Sequence, residues 1–399
     1  MKSFEVMGLP ESLNHTLINM KFDIPTPIQA EAIPVALKGQ DILGSAQTGT
    51  GKTGAFGIPL IAHLINNPTS CALVMTPTRE LATQVIAQLH ALLGKTTKIK
   101  SALLIGGEPM PKQFQQLRNR PRFIVGTPGR INDHLKRKSL ILSNTDFLVL
   151  DETDRMLDMG FTVQIEEVLK YLAPNRQTLL FSATMPKNIV RIAEKYLDNP
   201  ARIAVSATSA PAANLKQDNI RLNEGDKYNT LIEQLDQREG SVIIFVKTKF
   251  SADKMSVRLS KDGYSSDAIH GDLRQNKRDR VINNFRNKKY RILVATDVAA
   301  RGLDIPHIEH VINYDLPQCA EDYIHRIGRT ARAGATGAAL NLISAADKNK
   351  WNAIERLLNP DAPRSKKPRD TEFKSKDKNF RRKKTRNSSN KKTFNKRAA

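Results

Sequence analysis

The sequence predicts an α/β protein of two domains, each a parallel sheet covered by helices. Three observations predict it. The 399 residues exceed what one ordinary core holds. Short apolar runs of strand length alternate with longer stretches of helical period. The alternation also comes in two series, separated by a segment poor in bulky apolar residues. Apolar residues at 40% and charged residues at 26% keep the chain globular and exclude a fibrous or wholly disordered one.

The first series begins with Asp41 to Ser45, which leads into a Gly-rich segment and then a helical stretch. It continues through Cys71 to Met75, Phe123 to Val125, Phe147 to Leu150 and Thr178 to Phe181. The second holds Val242 to Val246, Arg291 to Ala295, His310 to Tyr314 and Ala338 to Ile343. Between them Val205 to Leu215, rich in Ala, Ser, Thr and Pro, reads as a linker. The expected units are a domain over 1–206, a linker over 207–213, a second domain over 214–359 and a tail over 360–399. Polar and Gly-rich clusters follow the strand runs, and open α/β sheets bind ligands outside the carboxyl ends of their strands. Function is therefore expected along that edge of each sheet, in the cleft between the domains.

Charge narrows the partner. Lys and Arg number 63 against 40 Asp and Glu, a net charge of +23. Residues 361–399 hold sixteen basic residues against four acidic ones, with Phe373, Phe380 and Phe394 as their large apolar residues. Such a segment cannot bury a core and is expected to be disordered. A surplus of this size opposes compaction unless a polyanion is met, and nucleic acid is the first candidate. No apolar run approaches the roughly 18–20 residues of a membrane helix, and MKSFEVMGLPES lacks the apolar stretch of a secretory signal, so a soluble cytoplasmic protein is expected. Cys71 and Cys319 stand apart from any Cys/His cluster, which leaves no material for a disulfide framework or a zinc site.

Two clusters carry phosphate chemistry. In Ala46, Gln47, Thr48, Gly49, Thr50, Gly51, Lys52 and Thr53, the glycines let backbone N–H groups curl around phosphates. Lys52 brings a charge to the β and γ groups, and Thr53 offers a ligand for Mg²⁺. About a hundred residues on, the strand Phe147 to Leu150 runs into Asp151, Glu152, Thr153 and Asp154. Adjacent carboxylates at a strand end suit one residue for Mg²⁺ and the next for activating a water. Together they read as a Walker-type ATPase site. The second series ends its first strand in Lys247, Thr248 and Lys249 without a Gly-Lys-Thr loop, so one ATP per chain is expected.

Taken with Pro25-Thr26-Pro27-Ile28-Gln29, Pro77 to Ala82, Thr127-Pro128-Gly129-Arg130, Ser182-Ala183-Thr184 and His325 to Arg332, these clusters closely resemble the motifs of the DEAD-box RNA helicases. The resemblance runs in family order from about Phe4 to Ile343. It implies two RecA-like domains, ATP and Mg²⁺ as cofactors, ATP hydrolysis coupled to RNA binding, and local separation of short duplexes by a monomer acting on RNA or on RNP. It also implies an adenine pocket at Gln29 and Phe22 with Phe4 as the upstream aromatic, Asp304 near the ribose, and Arg329 and Arg332 as arginine fingers on the γ-phosphate. With Lys52, Asp151 and Glu152 these fingers make the catalytic set. Arg326 is expected to bridge to the acidic motif, and Ser182 and Thr184 to tie that motif to domain closure. Two positions depart from the family pattern: Lys21, where a Gly usually precedes the aromatic, and Thr153, where the family name has Ala.

The remaining motifs imply contacts to phosphates and sugars of RNA. They are Thr78, Arg79, Gly106, Gly107, Thr127, Gly129 and Arg130 in the first domain, and Lys247, Gly271, Gln275, Arg278, Thr296 and Asp297 in the second. Backbone contacts carry no sequence code, so low sequence specificity is expected. The same motifs also serve an ATP-controlled RNA clamp or annealing chaperone, and that reading stays open beside the helicase.

Overall fold

Nine apolar runs become strands buried on both faces, and four further strands complete two parallel sheets. The computed structural model describes residues 3–46, 49–94, 98–205, 215–300, 308–331 and 336–359. Thr48, Asp304, Arg332, most of the expected linker and the tail therefore lie outside the described residues. The first sheet is formed by β1 (Ile42–Ser45), β2 (Cys71–Met75), β3 (Ser101–Leu104), β4 (Phe123–Gly126), β5 (Thr145–Leu150), β6 (Gln177–Ser182) and β7 (Ala201–Ala204), in the order β3-β4-β2-β5-β6-β1-β7. The second holds β8 (Leu215–Arg221), β9 (Ser241–Phe245), β10 (Ser266–Ile269), β11 (Ile292–Ala295), β12 (Ile308–Asn313) and β13 (Gly337–Ile343), in the order β10-β11-β9-β12-β13-β8. Every pairing is parallel. Both sheets lie within one compact unit.

Alternate residues of one strand feed opposite cores, as a sheet with helices on both faces requires. Phe147 and Val149 pack with Phe56 and Val74 on one face of the first sheet, while Leu148 and Leu150 join Leu73 and Leu180 on the other. In the second sheet Ile243 and Phe245 divide in the same way from Val242 and Ile244. The four strands that hydrophobic runs do not reveal are β3, β7, β8 and β10, and these are the outermost strands of the two sheets. An edge strand is covered less completely, so its sequence mixes polar with apolar residues, as Leu215–Arg221 does. The expected linker is correspondingly shorter than its composition suggests. Val205 N–H still donates to Ser45 O of β1 at 3.2 Å, and Leu215 already belongs to β8.

No helix among the described residues is long and apolar enough to cross a membrane. Both cysteines are free.

Candidate functional site

The carboxyl end of β1 opens into the Gly-rich loop. Gly49 and Gly51 take φ of +86° and +93°, left-handed conformations that an L side chain rarely adopts. A Cβ on Gly51 would also stand 2.6 Å from Gln29 Nε2. Helix Lys52–Asn66 starts here and buries Lys52 to 6% exposure. Among the described residues, Lys52 Nζ has no hydrogen-bond partner. A buried ammonium without a partner is costly, and an anion arriving from outside could satisfy it.

Asp151, at the end of β5, is buried beside it, and its pKa is pushed up to about 7. Burial is the main cause; Lys52 pulls the value back, while Glu152 and Asp154 raise it further. Glu152 sits at φ 50°, ψ 51°, a conformation that costs a non-Gly residue on the order of 1–3 kcal/mol. Its N–H donates to Asp151 Oδ1 at 2.9 Å. This turn places two adjacent carboxylates at one strand end.

Asp154 faces β6 instead. Its Oδ2 accepts from Ala183 N at 3.1 Å, Thr184 N at 2.9 Å and Thr184 Oγ1 at 3.0 Å. The expected tie between the acidic motif and the Ser-Ala-Thr segment is thus present through Thr184. Ser182 does not take part in it: its hydroxyl donates to Thr184 O at 2.7 Å. Thr153 is fully buried with its hydroxyl on Leu150 O at 3.2 Å, so the departure from Ala leaves no polar group unsatisfied.

Gln29 is held from both sides. Its Oε1 accepts from Thr26 N at 3.0 Å, closing a capping box on helix Pro27–Leu37, and its Nε2 donates to Gly51 O at 3.0 Å. The amide that the resemblance places on adenine therefore also fixes the phosphate loop. Phe22 is half-buried, and Phe4, 3% exposed, backs it with ring centroids 6.0 Å apart. Lys21 adopts φ 58°, which gives the physical reason for a Gly at this turn in the family pattern.

The second domain corrects one expectation. Arg326 does not reach the acidic motif. Its guanidinium clasps Asp297 at 2.6 and 2.7 Å and donates to Asn313 Oδ1 and Asp315 O, all within the second domain. It is 2% exposed, and four of its five N–H donors are spent within the second domain. Asp297, expected on RNA, is occupied by the same pair. The bridge from the acidic segment comes instead from Arg155, one residue past Asp154, which pairs with Asp322 of the second domain. Arg329 is buried beside it, with Nε on His325 O at 3.2 Å.

The residues expected on RNA converge. Thr78, Arg79, Gly106, Thr127, Gly129 and Arg130 of the first domain and Gly271 and Arg278 of the second line one cavity of about 390 Å³. Gly106 and Gly107 leave room for the Arg79 guanidinium: a Cβ on Gly107 would stand 2.6 Å from Arg79 Nη1. Two of the expected residues also join the domains to each other. Arg79 Nη1 donates to Gln275 Oε1 at 3.3 Å, and Arg278 pairs with Glu80 at 2.7 Å. Lys247 and Thr296 lie off the lining. Sequence reasoning missed Met159, Phe161 and Val298 on the cavity wall, and the two interdomain carboxylates Glu80 and Asp322. Glu80 stands inside the Pro77 to Ala82 motif and was legible; the apolar residues carry no chemical signature of their own.

Comparison with known proteins agrees with this geometry. Residues 26–192 match the DEAD/DEAH box helicase model, and residues 226–334 match the helicase conserved C-terminal domain. The chain is 45% identical to a DEAD-box ATP-dependent RNA helicase CshA of Bacillus cereus, over 89% of this chain and 68% of that one. Among solved structures it is similar to S. cerevisiae Dbp5 bound to RNA and ADP BeF3, at 35% identity and a TM-score of 0.80, covering 90% of this chain and 93% of that one. It is also similar to a DEAD box protein from the hyperthermophile Methanococcus jannaschii, at 40% identity and a TM-score of 0.52, covering 90% and 97%.

Proposed function

The chain belongs to the DEAD-box family of ATP-dependent RNA helicases, and we propose that it hydrolyses ATP at the Lys52 loop while both domains grip one RNA strand. The observation that carries the reading is the buried, unpartnered Lys52 ammonium beside a carboxyl whose ionisation is suppressed. A triphosphate would give Lys52 its counter-charge, and Thr53 and Asp151 would hold Mg²⁺, which needs only one or two protein ligands when phosphates supply the rest. When bound, the ion neutralises charge building on the phosphate oxygens. Glu152, next to Asp151 at the strand end, orients and deprotonates the attacking water. Gln29 and Phe22 hold adenine, Thr48 to Thr53 cradle the phosphates, and Asp304 reaches the ribose. Arg329 and Arg332 meet the γ-phosphate from the second domain.

Closure is the working motion. The Arg155–Asp322 pair and the bonds of Arg79 with Gln275 and of Glu80 with Arg278 form only when the domains meet. The higher score against the less identical of the two solved structures supports this reading, because a different placement of two conserved domains lowers a whole-chain score without a change of fold. The working units are residues 1–206 and 214–359, joined by 207–213. Residues 360–399 act as an electrostatic tether in the cytoplasm: deleting them should flatten the salt dependence of RNA binding, by about 0.7 in slope for each phosphate that the tail neutralises.

Glu152→Gln tests the assignment. The variant should bind ATP and RNA together and stall, with the chemical step slowed by about 10²–10⁴-fold. Unaltered RNA-stimulated turnover would remove Glu152 from the reaction.

A further inference from the structure

We propose that Phe250 is a base-stacking platform that carries the RNA track onto the second domain. The inference rests on the RNA reading of the lined cavity and adds an interaction of a different chemical kind.

The two sheets repeat one plan. The order β3-β4-β2-β5-β6-β1 matches β10-β11-β9-β12-β13-β8, so β2 corresponds to β9 and β3 to β10. Each of these central strands runs into a threonine that caps the next helix, Thr78 or Thr248. Both have φ −128° and ψ 155°, and both accept a hydrogen bond from the backbone N–H three residues on, at 3.2 and 3.0 Å. Arg79 thereby corresponds to Lys249, and Glu80 to Phe250. Arg79 lies over the glycine loop after β3, and Lys249 reaches the loop after β10 through Asp272. One turn along, Asp253 holds His270 of that loop at 3.0 Å. These two pairs fix the helix against the residues flanking Gly271, which lines the RNA cavity.

The counterparts differ in what covers them. Glu80 lines the cavity and is capped by Arg278 from the other domain. Phe250 is 73% exposed. A single exposed Phe is ordinary; this one stands at the ligand edge of its sheet, with Lys247 and Lys249 before it and Lys254 one turn on. The neighbouring carboxylates, Asp272 and Asp253, are engaged by Lys249 and His270. An aromatic face set among lysines is what a single strand uses when a base stacks and the flanking phosphates are neutralised, and such stacking does not depend on base identity.

The test uses the full chain with a non-hydrolysable ATP analogue and a single-stranded RNA of about ten nucleotides. Phe250→Ala should weaken binding by about 5- to 150-fold without changing the slope of log affinity against log salt. Phe250→Trp should retain affinity and lose fluorescence on binding, against the constant signal of Trp351, 5% exposed. Replacing the RNA by an abasic strand of equal length should bring parent and Phe250→Ala together. An affinity for Phe250→Ala within twofold of the parent, with Lys247→Ala still weakened, overturns the platform and leaves the RNA track standing. No nucleotide-dependent RNA binding by the parent overturns the RNA reading itself.

Discussion

Two lysines are buried among the described residues, one in each domain, and the structure treats them in opposite ways. Lys52, at the start of the helix that follows the first domain's Gly-rich loop, has no hydrogen-bond partner. Lys227, 1% exposed, opens a helix of the second domain and meets Glu224 at 3.0 Å and Asp347 at 3.1 Å. Burial alone would pull its proton off, yet the bonds to Glu224 and Asp347 outweigh that and raise its pKa. Asp347 in turn accepts from Ser344 and is held below its ordinary value, because these bonds exceed the cost of its own burial. A satisfied buried charge is architecture, whereas an unsatisfied one marks where a ligand completes the protein. The same contrast separates Lys52 from Arg326, which is clasped by four acceptors.

The contrast can be broken at several points. The largest effect is expected for Arg329→Ala. If the second domain contributes cations to a reaction housed in the first, single-turnover hydrolysis should fall by about 10³-fold or more while ATP affinity is retained. A loss below about tenfold would put catalysis within the first domain alone. Next come the lysines themselves. Lys227→Met takes from Asp347 its buried ammonium and should cost about 3 kcal/mol in urea unfolding, the low end for a broken buried pair because Asp347 keeps Ser344 and, at 3.7 Å, Lys350, while Glu224 and Asp315 reach solvent. Lys52→Met removes an unsatisfied buried ammonium, so it should raise ligand-free stability by about 1–3 kcal/mol while abolishing nucleotide binding. Equal losses at both positions would erase the distinction.

Asp322→Asn tests whether closure depends on the Arg155–Asp322 pair. Arg155 retains Asp158 at 3.6 Å, and the closed form should lose about 2 kcal/mol. Distance labels in the two domains should then report a closed population near 30-fold smaller at saturating ATP and RNA. A last test is Asp151→Asn without ligand. A carboxyl with a raised folded pKa destabilises the fold while ionised, above about pH 7, and that cost fades as pH falls towards its ordinary 3.8. The variant should therefore melt a few degrees higher than the parent near pH 8 and converge with it near pH 4. A constant difference across that range would mean that Asp151 ionises without penalty.

Much of the fold was legible because interior parallel strands must be apolar on both faces. Phe147 to Leu150 and Val242 to Val246 announce themselves in any window. The edge strands β3, β7, β8 and β10 were not, since an exposed flank relaxes that demand and Leu215–Arg221 reads like any polar loop. Lys52, Asp151 and Glu152 could be named because phosphate chemistry needs those residue types at those spacings. That Glu152 is held left-handed, or that Asp151 is pushed towards neutrality, depends on burial, which spacing does not encode.

The sequence by itself determined the two-domain parallel architecture, the Gly-rich loop with its lysine, the run of basic motifs and the family they resemble. Each is a matter of local pattern: strand hydrophobicity, glycine where φ must be positive, a lysine where phosphate charge must be met. Only the tertiary structure decided how those side chains are spent. It gave Arg326 to Asp297 and the bridge to Arg155, turned Arg79 and Arg278 towards the opposite domain as well as the cavity they line, and left Phe250 uncovered where Glu80 is capped. The reason is physical. An arginine or a carboxylate in a sequence has only its potential bonds, and which of them forms is settled by the groups, distant along the chain, that packing brings within about 3 Å once water has been removed.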